Sequence, residues 1–136
     1  NVVIFDSAGY YSGHNVVFPL STEAYEKLKR RQMTENQLKV SDLVDYRREK
    51  RPVFLCYFIT ADCNDHIFYL LGEAIQFFKE KDFPDYIYSV ITNRQDSYDI
   101  HKKIGLKVVW ADMEMNVPGE AFLPNRFCEG RLDYFL

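Results

Sequence analysis

Four aspartates, Asp6, Asp62, Asp65 and Asp96, each sit at or just after the carboxyl end of an apolar, β-branched or aromatic run: Val2–Phe5, Val53–Ile59 and Tyr86–Ile91. In an open α/β sheet such strand ends converge on one rim, at the crevice where ligands bind. Carboxylates gathered there repel one another unless a hard cation such as Mg²⁺ or Mn²⁺ neutralises them. The chemistry this predicts is phosphodiester hydrolysis. Asp6, Asp65 and Asp96 would hold the ion, Asp62 would complete the catalytic set, and the metal would activate a water for in-line attack on phosphorus. Taken singly, each acid has an ordinary alternative use in capping a helix or turning a loop.

Other residues near the same strand ends extend the pattern. Ser7, Ser12, Thr60, Asn64 and Asn93 could position phosphate or metal-bound water, and His14 and His66 could shuttle protons. Basic residues cluster at Lys27 to Arg31 and again at Arg47, Arg48, Lys50 and Arg51, with Arg94, Lys102, Lys103, Arg126 and Arg131 more scattered. Runs of this kind are commonly solvated helix faces. Flanking an acidic metal site, Arg47, Arg48, Lys50, Arg51, Arg94 and Lys102 would instead bind a nucleic-acid backbone. Tyr10, Tyr11 and Tyr98 could stack on unpaired bases.

The elements that must carry these residues alternate along the chain. Val2–Phe5 reads as a buried strand, Asp6–Gly9 as a turn, Val16–Leu20 as a short strand and 22–31 as a charged helix capped by the Ser21–Glu23 segment. Ser41–Lys50 reads as a second helix, with Leu43 and Val44 inward, leading into a strand over 53–59. Ile67, Leu70, Leu71, Ala74, Ile75 and Phe78 recur at helical spacing up to about Lys81. A strand over 86–92, a helix over 97–104 stopped by Gly105 and a strand over 106–110 follow. Strands alternating with helices predict an α/β protein with a three-layer, mostly parallel sheet.

At 136 residues the chain is expected to form one domain, 1–136, which starts without Met and is open to being a fragment of a longer protein. The 47% hydrophobic and 16% aromatic content argues for an ordered core, and no run approaches the ~18 apolar residues a membrane span needs. A cytoplasmic protein is expected. Three cysteines without a C-x-x-C pair argue against a disulfide framework or a zinc site. The net charge of −3 decides little, because it does not report local patches.

The order Val2-Val-Ile-Phe-Asp6, Asp62-Cys-Asn-Asp65-His-Ile-Phe, Val90-Ile-Thr-Asn-Arg-Gln-Asp96-Ser-Tyr and Phe122-Leu-Pro with Gly130-Arg-Leu-Asp-Tyr-Phe-Leu136 resembles the NYN branch of the PIN-like ribonucleases, most nearly the Regnase-type group. The resemblance implies a small α/β domain in which Asp6, Asp62, Asp65 and Asp96 match the family's acids. It implies Mg²⁺ or Mn²⁺ as cofactor, single-stranded or stem-loop RNA as substrate, and a place in RNA decay, with a homodimer or a protein partner. Two departures stand out. Asn93 and Arg94 occupy positions where the family has an acid, so Arg94 could take the metal's place. Only nine residues, Ser7 to Asn15, separate the first two strands, whereas a parallel crossover needs at least ~10–12; either a helix is missing or the connection is not a crossover.

The runner-up is a GNAT-type N-acyltransferase. Residues 98–109, with His101-Lys-Lys-Ile-Gly-Leu-Lys-Val-Val, resemble that family's late helix, glycine step and strand. Against it, Ala61-Asp-Cys-Asn-Asp-His66 has no R-x-x-G-x-G/A element, and its two carboxylates would repel a pyrophosphate. A catalytically inactive PIN-like module that binds RNA or a protein is the third reading.

Overall fold

Val53–Cys56 is apolar without interruption because this half of its strand is covered on both faces. In the computed structural model, which describes residues 2–5, 11–112 and 122–132, six strands form one sheet: β1 (Val2–Phe5), β2 (Tyr11–Leu20), β3 (Val53–Ala61), β4 (Ile87–Arg94), β5 (Lys107–Ala111) and β6 (Phe122–Gly130). Three helices accompany them: α1 (Thr22–Lys29), α2 (Asn64–Lys81) and α3 (Gln95–Lys103). On one face Phe54 and Cys56 of β3 and Tyr88 and Val90 of β4 pack with Leu71, Ile75 and Phe78 of α2 and Ile100 of α3. On the other, Val53 and Leu55 meet Tyr25 and Leu28 of α1, with Phe127 of β6.

The chain is thus mixed α/β, but the expectation of a mostly parallel sheet is corrected. The strand order is β1-β2-β3-β4-β6-β5, and only β3 and β4 pair in parallel. The reason lies in the connections. β1 and β2 are joined by residues 6–10, far too short for a crossover, and they pair antiparallel from Val2↔Asn15 to Phe5↔Tyr11. α2 is the crossover between the adjacent parallel strands β3 and β4, and α3 crosses over β6 to join β4 to β5, which run in the same direction with antiparallel β6 between them.

Two further expectations change for local reasons. Ser41–Lys50 is not a helix; its backbone groups are spent on the end of β2, through Ser21 N–H to Asp42 O (2.7 Å), Val44 N–H to Pro19 O (3.1 Å) and the Leu20↔Leu43 bridge. What remains are single 3₁₀ turns at Val40–Asp42 and Tyr46–Arg48. β6 has no regular apolar alternation and contains Pro124, which lacks a ladder donor. Pro124 is accommodated where the β4/β6 register shifts between Thr92↔Arg126 and Arg94↔Phe122.

Helix ends follow the sequence signals more closely. The Ser21 hydroxyl accepts from Ala24 N–H at 3.1 Å, so Ser21→Ala should cost about 1 kcal/mol in urea denaturation. α2 ends at Asp82 in the left-handed region (φ 50°), and α3 runs out at Gly105 (φ 98°). An Ala at Gly105 would be strained whatever space it found.

Glu35, itself half-buried at the start of the turn Glu35–Gln37, has its carboxyl pushed up to about 7 by burial. The unfolded chain ionises this group near its ordinary value while the native chain retains the proton, so stability falls as pH rises from about 4.5 to about 7. Glu35→Gln should therefore melt higher than wild type at about pH 8 and alongside it at about pH 4. A melting difference that does not change with pH would reject this.

Candidate functional site

The opening in the sheet comes from one extra residue. Across β2 and β3, Val16 faces Phe58 but Val17 faces Cys56, so Tyr57 is an unpaired bulge on β3. A bulge bends its strand and increases its twist. The β3/β4 pairing runs from Val53↔Ile87 to Cys56↔Val90 and stops at the residue before the bulge. Beyond it the two strands have no mutual register, while β4 stays paired to β6 through Thr92↔Arg126. The bulge also resets side-chain alternation, so that Ile59 packs against the same cluster as Cys56.

The result is a cleft of about 450 Å³ at the carboxyl ends of β3 and β4. Ile59, Thr60, Ala61, Asp62 and Cys63 line one side, Arg94, Asp96, Ser97, Ile100 and His101 the other, and Ile67 of α2 lies between. Ligands of open α/β sheets favour this position, where strand ends part.

His101 is the least conventional residue in its wall. It is 1% exposed and stacks near Tyr88, with ring centroids 6.3 Å apart. Its Nδ1 lies 2.7 Å from the Ser97 carbonyl, which can only accept, so Nδ1 carries the proton. Burial holds the ring's pKa below the ordinary histidine value. At neutral pH His101 is thus uncharged, and its buried Nε2 is a lone-pair acceptor with no hydrogen-bond partner.

Two of the four aspartates singled out from sequence, Asp62 and Asp96, line this cleft. Asp62 is exposed, and its N–H donates to Ser12 O at 2.9 Å, extending the β2/β3 ladder. Asp65 is exposed in the first turn of α2. Asp96 is engaged by Arg94, through Nε to Oδ1 at 3.0 Å and Nη2 to Oδ2 at 2.9 Å, and also accepts from Ser97 N–H at 2.8 Å. The guanidinium holds the Asp96 carboxyl below the usual carboxylate range. Arg94 thus engages both oxygens of Asp96. Asp6 is outside the described residues, as are Ser7 and Tyr10. Among the described residues no three His, Cys, Asp or Glu side chains are grouped to hold a metal ion.

Of the basic residues, Arg94 lines the cleft and Arg47, Arg48, Lys50 and Arg51 lie away from it. Arg47 and Arg48 both pair with Asp45, at 2.9 and 3.9 Å, and Arg51 pairs with Asp85 at 3.1 Å. With the exposed Lys50 they precede β3, whose nine residues separate them from Asp62 by about 30 Å. Lys102 lies over the Tyr98 ring at 6.0 Å. His14, half-buried on β2, faces Thr60, and His66 lies in the first turn of α2 with a buried, unpartnered Nδ1.

Comparison of the sequence with protein-family models and with curated proteins finds no match. No helix among the described residues is long and apolar enough to cross a membrane.

Sequence reading passed over His101 and the bulge. His101 had a signal: it lies next to Ile100 and three residues before Ile104 on the buried stripe of α3, where an imidazole is out of place among aliphatics. The bulge had none, since Tyr57 continues an unbroken apolar run.

Proposed function

We propose that this domain is a GNAT-type acyltransferase that binds an acyl thioester in the cleft between β3 and β4 and transfers the acyl group to an amine. The observation that carries this reading is the bulge-opened cleft with the uncharged His101 ring in its wall. An extended chain bearing amides can hydrogen-bond to strand edges that have lost their neighbour. The late helix, glycine step and strand of the resemblance coincide with α3, Gly105 and β5.

The amine nitrogen attacks the thioester carbonyl, a C–N bond forms, the C–S bond breaks, and the electron pair leaves on sulfur. His101 Nε2 takes the proton that the amine sheds, which an uncharged imidazole is in the right state to do. The imidazolium then gives that proton to the thiolate, which leaves as the free thiol and restores the uncharged imidazole.

S-acetylpantetheine at millimolar concentration should raise the melting temperature, and adding phenethylamine should release free thiol. Thiol release no faster than without protein would reject the reading.

A metal-dependent endoribonuclease is the second reading, favoured by Asp62 and Asp96 lining one cleft. It needs Mg²⁺ or Mn²⁺ brought in by Asp6, Asp65 and Asp96, with RNA as substrate. If it holds, Mn²⁺ should raise the melting temperature and support cleavage of labelled single-stranded RNA, and Asp6→Asn and Asp65→Asn should abolish the cleavage. Undiminished cleavage in both variants would reject the assignment.

A further inference from the structure

We infer that the protein carries a second binding site, a cavity between α2 and β2 that takes a small organic cation with an alkylated ammonium head. It shares no residue with the cleft, so the inference stands apart from the acyltransferase reading. The cavity holds about 470 Å³, the size of a small-molecule pocket. α2 packs over β3 and β4. Beside it Asn15, Val17 and Pro19, alternate residues on one face of β2, are left as part of the lining.

The walls are aromatic. The Tyr46 ring centroid lies 5.8 Å from those of Phe54 and Phe77, and Phe54 lies 6.2 Å from Phe77, with planes turned 50°, 81° and 83° from one another. Rings turned across one another are the arrangement of an aromatic cage, whose electron-rich faces hold an alkylated ammonium. Along α2, Glu73 stands one turn before Phe77 and Glu80 one turn after it, and all three line the cavity. Both carboxylates are exposed, and neither is in an ion pair among the described residues; Glu80 Oε1 accepts from the neutral Gln76 Nε2 at 3.2 Å. Among the described residues no lysine or arginine lines the cavity, and Lys81 Nζ, 5.8 Å from the Phe77 ring centroid, belongs to a residue outside the lining.

The charge at this site is therefore of one sign, two carboxylates on the rim of an aromatic wall. An anion is repelled there, and a neutral apolar body gains nothing from the carboxylates. A bare metal ion or a primary ammonium would have to give up strongly held water against rings that cannot replace it. An alkylated ammonium spreads its charge over methyl or methylene groups and needs no hydrogen bond. It satisfies the rings and the carboxylates together.

The experiment titrates the whole chain with choline and with 3,3-dimethylbutan-1-ol, its uncharged isostere, reading both affinities by two-dimensional NMR in wild type, Glu73→Gln/Glu80→Gln and Asp62→Asn. Choline should bind wild type about 3- to 30-fold more tightly than the alcohol. Glu73→Gln/Glu80→Gln changes two exposed side chains and should fold normally; it should lower choline affinity roughly threefold or more and leave the alcohol's unchanged. Asp62→Asn, in the other cleft, should alter neither. Equal affinity for the two compounds would overturn the inference in favour of a plain apolar pocket. Choline affinity that survives the paired glutamate substitution, or that is lost in Asp62→Asn, would overturn it by placing the cation elsewhere. Binding of neither compound would overturn it as well. None of these outcomes touches thiol release from S-acetylpantetheine, so the two readings fail separately.

Discussion

Phe78→Ala should destabilise the protein by about 3–5 kcal/mol, a large share of the 5–15 kcal/mol that holds a domain of this size together. Phe78 is 4% exposed and stacks on Tyr86 with ring centroids 4.4 Å apart and planes 9° apart. It also meets Phe54 edge-on at 5.0 Å and Phe77 at 5.3 Å. The rings come from α2, β3 and the residue before β4, so no single shift of one element can fill the space a truncation leaves. Each aromatic pair adds about 0.5–1.5 kcal/mol beyond area burial. Urea denaturation with an unchanged slope is the measurement. Phe78→Leu, which retains most of the volume, should lose less than half as much, and a cost below about 1.5 kcal/mol for Phe78→Ala would contradict this packing.

That cluster was legible in the sequence. Leu70, Leu71, Ile75 and Phe78 recur at helical spacing, and Val53–Ile59 and Tyr86–Ile91 are continuous apolar runs, so both partners of the core and their element types could be read directly. The sheet's direction was harder to read. Parallel order was inferred from alternating strands and helices, yet β2 begins at Tyr11, where Tyr-Ser-Gly-His-Asn gives no apolar alternation, and that early start is what makes β1 and β2 a hairpin. β6 was hidden by Pro124 and Asn125, which mark turns unless a register shift absorbs them. Ser41–Lys50 carried a helical pattern whose backbone groups are taken by Pro19 and Ser21, a long-range competition that local propensity does not register.

The candidate site divides along the same line. The acids were found because strand-end position is a sequence property, but whether they converge depends on side-chain partners. Arg94 stands in the sequence as a cation close to Asp96, and it binds both oxygens of that carboxylate. His101 escaped notice because its interest lies in what it lacks, a partner for Nε2, and only packing reveals that.

His101→Phe should lower kcat/KM for acyl transfer about 10²–10⁴-fold, the usual worth of a positioned general base. Phenylalanine keeps the ring's shape against Tyr88 and removes both nitrogens. The hydrogen bond from Nδ1 to Ser97 O is lost, but so is a buried acceptor without a partner, so stability should hold within about 1 kcal/mol or rise. The pH behaviour separates a chemical role from a structural one. Burial keeps the His101 pKa below its ordinary 6.5, so wild-type kcat/KM should stay flat through neutrality and fall only under more acidic conditions, as Nε2 takes up a proton. The same shift means that the unfolded chain binds this proton at a higher pH than the native one. Stability from this group is therefore present above about pH 6.5 and declines as pH falls below it. In His101→Phe both effects should vanish together: the acidic limb of the rate profile and this part of the acid destabilisation. A variant that melts normally yet transfers acyl groups at the wild-type rate, or that retains the acidic limb, would remove His101 from the mechanism.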